Sequence, residues 1–191
     1  MCQILLKAAL MVTTSVVVAA AQEYAVGVPS FFPGIGDLGS VTLVSNDPCR
    51  GSARPLDLSD VIGGPNDEFV SIGDGGAITL SFANPIEDRP GPDLRVWVSC
   101  NIACEPGDVA VSQDGVNFFP LGSLSIPPFQ EYDISSSGRA FVTQVRVYDT
   151  PSGPCPGIGL AVDVDAVESL HPGRTVPVSQ QSWTAIRVLY R

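Results

Sequence analysis

The 191-residue chain has a single histidine and a single lysine, two tryptophans and no long apolar run beyond its first segment. Each scarcity excludes something. His171 falls after the last strand pattern, beside Pro172-Gly173, a poor place for the rigid general base of a catalytic triad. With Lys7 the only lysine, residues 22–191 carry 9 arginines against 20 acids, a formal charge of 9 − 20 = −11. Such a surface repels phosphate backbones and argues against nucleic acid as a partner. No window after the first segment is long and apolar enough to span a bilayer. A convincing long helix and internal repeats are also missing.

Lys7 precedes an apolar run, Ala8 to Val18, which ends in Ala19-Ala20-Ala21. A basic start, a short apolar stretch and small residues at a cleavage site describe a secretory signal peptide over residues 1–21. Export makes disulfides possible. Cys49, Cys100, Cys104 and Cys155 remain after cleavage, an even number with three possible connectivities. Cys100–Cys104 as a local loop with Cys49–Cys155 joining two Pro/Gly loops is the favoured pairing. Zinc is the competing reading, but Cys100 and Cys104 have no second close pair to complete a site.

What is abundant is glycine and proline, 19 and 17 residues, which suits short strands joined by tight turns. The clearest stretch is Gly73 to Val98, GDGGAITLSFANPIEDRPGPDLRVWV. Ile78, Leu80 and Phe82 alternate with Thr79 and Ser81, and Leu94, Val96 and Val98 with Arg95 and Trp97, the period of half-buried strands. Asn84 to Asp93 reads as an acidic, proline-rich loop between them. Upstream, residues 22–45 read as a Gly/Pro-punctuated lead-in and one strand at 41–44. A helical turn at Leu58 to Ile62 follows, capped by Asp57 or Ser59, and then a short strand at Phe69 to Ile72.

Downstream, Gln113-Asp114-Gly115 is a hairpin turn between Val109–Ser112 and Phe118–Leu121. Pro127-Pro128 excludes a central strand there. Phe141 to Asp149 places Phe141, Val145 and Val147 on one face, with Gln144, Arg146 and Tyr148 on the other. In the last core strand, Leu160 to Val167, the residues Val162, Val164 and Ala166 point inward. Asp163 and Asp165 share the opposite face, roughly 7 Å apart. The pattern predicts an all-β fold, an antiparallel β-sandwich or jelly roll over residues 22–170. Residues 171–191 form a linker and tail. In it, Ser182 caps a short helical pattern with Trp183, Ile186 and Tyr190 at helical spacing.

Three pieces, residues 69–98, 109–122 and 160–170, together resemble the galactose-binding-like jelly rolls of exported and cell-surface proteins, which include discoidin domains and many carbohydrate-binding modules. Ser112-Gln113-Asp114-Gly115-Val116-Asn117-Phe118 is similar to a hairpin common in that family. Asp165-Ala166-Val167 is similar to its final-strand motif that helps hold a structural calcium. The resemblance implies a fold and a binding or surface role, not a ligand.

The residues themselves point the same way. Asp93, Asp163 and Asp165, with Asp47 where related jelly rolls place another ligand, are candidate donors for Ca²⁺, which takes six to eight oxygens. The alternative is a turn cap for Asp93 and a solvated strand face for the other two. Asp114 reads as a turn residue. Trp97 and Tyr148 lie on outward faces by parity and offer flat apolar planes for a sugar ring or a protein hot spot, unless a loop covers them. The expectation is a secreted or cell-surface binding module, not an enzyme, recognising a glycan or a cell-surface protein. A structural surface protein without a small ligand is the second reading, and a glycan-active hydrolase the third.

Overall fold

The computed structural model describes residues 23–34, 57–99, 106–124, 128–150 and 161–173, with the backbone of 44–45 and 53–54. The expected signal segment over residues 1–21, Asp47, Cys49, Cys100, Cys104, Cys155 and residues beyond Gly173 lie outside the described residues.

Alternating sequence becomes strand almost throughout. The strands are β1 (Glu23–Tyr24), β2 (Gly27–Phe32), β3 (Val44–Ser45), β4 (Ala53–Arg54), β5 (Val70–Ser71) and β6 (Ala77–Glu87). There follow β7 (Leu94–Ser99), β8 (Gly107–Ser112), β9 (Phe119–Leu124), β10 (Phe129–Tyr132), β11 (Phe141–Asp149) and β12 (Asp163–Ser169). Sheet I runs β1-β12-β7-β10, with β5 also on β12; sheet II runs β2-β6-β11-β8-β9; β3 and β4 form a separate pair. All pairings are antiparallel. Val96, Val164 and Val167 from sheet I share one apolar core with Ile78, Leu80, Val109, Val111, Val145 and Val147 from sheet II. The architecture is an antiparallel β-sandwich, in which each such side chain contributes about 1.5–3 kcal/mol on burial.

The chain passes between the sheets at both flanks. Adjacent residues Ala25 and Val26 donate their amides to Val167 O in sheet I and Ser81 O in sheet II. At the other flank, Gln130 Nε2 and the Tyr132 hydroxyl, both on β10, donate to Ser123 O on β9. Among the described residues, no helix is long and apolar enough to cross a membrane.

Several local expectations hold. Leu58–Val61 is a 3-10 turn capped by Asp57, which accepts from Ser59 N. The 113–115 turn is built by Ser112 and Asp114. Ser112 Oγ accepts from Gly115 N, and Asp114 accepts from the Val116 and Asn117 amides. These bonds hold the Asp114 carboxyl far below its ordinary range. β10 is an end strand, as the proline pair before it requires.

The departures come from bulges and from hidden strands. Residues 23–32 form two strands rather than a lead-in; Pro29, lacking an amide donor, is tolerated because β2 ends its sheet. β6 continues through Pro85 to Glu87, so the loop is 88–93 and not 84–93. On β6 the ladder jumps from Ser81 to Ile86 while β11 advances from Gln144 to Val142, and the extra residues take Pro85 out of the hydrogen-bonding pattern. That same irregularity turns Val142 into the core and leaves Phe141 41% exposed, against the even alternation expected of β11. A second bulge sits at Asp165: Val164 pairs with Val98 and Ala166 with Trp97. Ala166 therefore lies on the Trp97 face, and Val167, opposite Val96, takes the inward place expected of Ala166.

Candidate functional site

The outer face of sheet I carries two side-chain rows set by register. Tyr24, Glu168, Arg95 and Glu131 are cross-strand neighbours, and so are Ala166, Trp97 and Phe129. Arg95 Nη1 donates to Glu168 Oε2 at 3.0 Å, and its Nη2 donates to Glu131 Oε1 at 2.5 Å. Trp97 Nε1 donates to the same Glu168 Oε2 at 3.3 Å. The Trp97 ring packs on Phe129 with centroids 4.8 Å apart, tilted 56°, and the Arg95 guanidinium lies over both rings. The indole is thus fixed at its nitrogen edge and on its β10 side.

Trp97 is also among the residues that line a cleft of about 350 Å³, with Pro65, Asn66, Asp67, Val98, Ser99, Pro128 and Asp165. Strand parity places Arg95 and Ser99 on opposite sides of Trp97, so the cleft lies away from the guanidinium. Two backbone irregularities meet here. The bulge on β12 re-aims Asp165, a common role of bulges beside binding sites. Asp67 holds φ at 65° and is the sole non-glycine residue with positive φ among the described residues, a conformation that costs about 1–2 kcal/mol. Asp165 Oδ1 accepts from Asn66 N at 3.1 Å, which ties the loop to the strand. Burial pushes the Asp165 carboxyl above its ordinary range; the Asn66 and Asp67 amides oppose that shift, and the Asp67 charge adds to it. The residues around the cleft therefore combine an aromatic side chain, a hydroxyl, an amide and two carboxylates.

The other expected site residues are dispersed. Asp163 pairs with Ser99 at one end of the β7–β12 ladder, and Leu94 with Ser169 at the other. Asp93 is consequently about 20 Å along the ladder from Asp163 at the usual strand rise, and one ion cannot be held by both. Asp93 instead braces a corner, accepting from Arg89 N on one oxygen and Ile134 N on the other. Burial raises its carboxyl, and these amides oppose the rise. It lies with Asp88 and Asp133 in a group whose carboxylate oxygens are within 4.8 Å of one another.

Tyr148 is on β11, paired with Ala77 and Asp108, on the outer face of sheet II. Trp97 and Tyr148 occupy opposite faces of the sandwich and cannot grip one ligand. Burial, with the Asp108 charge, raises the Tyr148 hydroxyl. His171 is not among the cleft's lining residues; its carbonyl accepts from Glu87 N, and Gly173 N donates to Pro85 O.

Sequence reasoning missed Asn66, Asp67, Ser99 and Glu168. The Pro65-Asn66-Asp67 run carried a signal, since Asn and Asp after a turn proline tolerate the left-handed region. Glu168 carried none: an acid in a strand reads as solvated, yet it is fully buried, and its Oε1 has no hydrogen-bond partner.

No protein-family model and no curated protein matches this chain. Among solved structures, it is similar to a truncated AlyQ with CBM32 and alginate lyase domains, at 12% identity and a TM-score of 0.45, over 83% of this chain and 36% of that one. It is also similar to the C-terminal domain of a chitobiase from Bacteroides fragilis, at 14% identity and a TM-score of 0.30, over 48% of this chain and 62% of that one. The chain thus spans less than two thirds of either structure. Likenesses of this size carry neither ligand nor activity to this protein, whose site is read from its own geometry.

Proposed function

We propose that this protein is an exported, non-catalytic binding module of the galactose-binding-like jelly-roll type, which recognises a glycan at the Trp97 cleft. The observation that carries the reading is the meeting of Trp97, Ser99, Asp67 and Asp165 around one cleft of about 350 Å³, at the lower end of the range of small-molecule pockets, about 300–1,000 Å³. A pyranose presents a flat C–H face, which packs on an indole plane, and hydroxyls, which need acceptors such as carboxylates. The indole is held by Glu168, Arg95 and Phe129 before any ligand arrives, which reduces the ordering cost of binding.

Binding rather than hydrolysis is favoured because Asp165 already accepts backbone amides that hold the loop. A general acid needs a carboxyl free to exchange its proton with substrate. Calcium enters as a secondary, fold-supporting ion. Asp88, Asp93 and Asp133 offer hard oxygen donors from two loops, and backbone carbonyls and water would complete the six to eight ligands calcium takes.

A glycan array followed by titration calorimetry tests the proposal. Trp97→Ala should abolish the binding shown by the parent protein while leaving the far-ultraviolet circular dichroism unchanged. Binding that survives Trp97→Ala, or release of new reducing ends from the bound glycan, would overturn it.

A further inference from the structure

Building on that reading, we infer that the Trp97 cleft selects sugars bearing a free, protonated amine, with the ammonium placed between Asp67 and Asp165 and the pyranose face against Trp97. Charge decides this. Among the described residues, both ionisable side chains of the lining are carboxylates, and no lysine, arginine or histidine is among them. The nearby guanidinium of Arg95 is engaged by Glu131 and Glu168 and lies beyond the indole, on the side away from Ser99.

A ligand that seats on the indole also strips water from the exposed Asp67, beside the already buried Asp165. A neutral sugar leaves two desolvated carboxylates without a counter-charge, and a uronic acid adds a third negative group. An ammonium compensates both carboxylates and supplies three donors to acceptor-only groups. A basic peptide would bring the same charge on a flexible stem, but it has no rigid saturated ring for the indole plane. The chain's formal charge of −10 draws a cationic oligosaccharide in and slows the approach of an anionic one.

Calorimetry on the full chain at mildly acidic pH tests this with four probes: a glucosamine oligomer, the N-acetylated oligomer of the same length and linkage, a uronate oligomer and an oligolysine. The free-amine sugar should bind about tenfold more tightly than its acetylated counterpart, the size of one charge-assisted contact. Asp67→Asn should reduce that ratio to threefold or less, by weakening the free-amine sugar more than the acetylated one. Asparagine tolerates the left-handed backbone at this position and keeps the amide that Asp165 accepts, so the variant retains the loop.

Equal binding of the two sugars, with both lost in Trp97→Ala, would refute the amine selectivity and leave the glycan reading standing. Preference for the uronate, with or without added calcium, would refute it too, as would oligolysine binding that ignores Trp97→Ala. Failure of all three sugars to bind would sink the parent reading itself.

Discussion

Arg95 supplies the counter-charge of a fully buried carboxylate, and its removal is the most decisive perturbation of this fold. The Glu168 side chain is 1% exposed and that of Arg95 21%. Glu168 has one oxygen bonded to Arg95 and Trp97, while the other has no hydrogen-bond partner. Arg95→Met keeps the aliphatic packing on Phe129 and removes the charge, leaving a desolvated anion with a single indole N–H. Stranding one partner of a buried pair costs about 3–5 kcal/mol, a fifth or more of the roughly 5–15 kcal/mol that holds a domain together. For a chain of this size the melting temperature should fall on the order of 10 °C.

Glu168→Leu should cost less, about 2 kcal/mol, because Arg95 retains Glu131 and partial solvent. The double variant should lie within about 1 kcal/mol of the parent, since an apolar pair often replaces a buried ion pair without loss. Urea denaturation followed by tryptophan fluorescence, with constant slope across the four proteins, reads these values. Two results would refute the reasoning: an Arg95→Met loss below about 1 kcal/mol, the value of a surface pair, or strict additivity in the double variant.

Three further outcomes follow from the geometry. Gly76→Ala would drive a Cβ into the Ile72 carbonyl and against the Gly34 amide, so it should lower the melting temperature more than Gly91→Ala, whose Cβ meets open space and whose cost is only the backbone strain of a φ of 99°, about 1–2 kcal/mol; equal effects would contradict the packing of the 73–76 turn. Calcium should raise the melting temperature relative to EDTA, and Asp88→Asn with Asp133→Asn should remove that difference; identical melts of the parent in calcium and EDTA would eliminate the ion. The folded Asp165 carboxyl is raised above 3.8, so its favourable contribution is full below pH 3.8 and is lost as pH rises through the folded value. Asp114 is lowered and runs oppositely, its contribution present above 3.8 and lost as pH falls. The stability of the parent relative to Asp165→Asn should therefore decline as pH rises from 3.8, whereas relative to Asp114→Asn it should decline as pH falls; parallel urea-midpoint curves would contradict both.

The sequence conveyed the class of fold because period-two alternation survives wherever strands are regular, as at Ile78–Leu80 and Val145–Val147. It misplaced residues where a bulge resets parity. Phe141, Val142, Ala166 and Val167 each changed face because one strand carried extra residues, and no local composition marks such an insertion. Trp97 and Asp165 were legible as candidates, but their meeting was not, since it depends on a loop some thirty residues before Trp97 reaching the same cleft. Asp93 was legible as a ligand type and misread as to company. Its neighbours Asp88 and Asp133 are brought together by the β7–β10 pairing, a contact between segments separated by some thirty residues.

The crossing at Ala25 and Val26 has a mechanical consequence. Neighbouring peptide groups are bonded to opposite sheets, so tension entering the chain ahead of Glu23 is divided between two ladders instead of peeling one end strand. Extraction of this segment must break Ala25 from Val167 and Val26 from Ser81 nearly together, along with the pair of bonds by which Glu23 holds Asn84. Rupture of that kind is cooperative and occurs at higher force than sequential unzipping. The first strands thus act as a clamp between the two sheets.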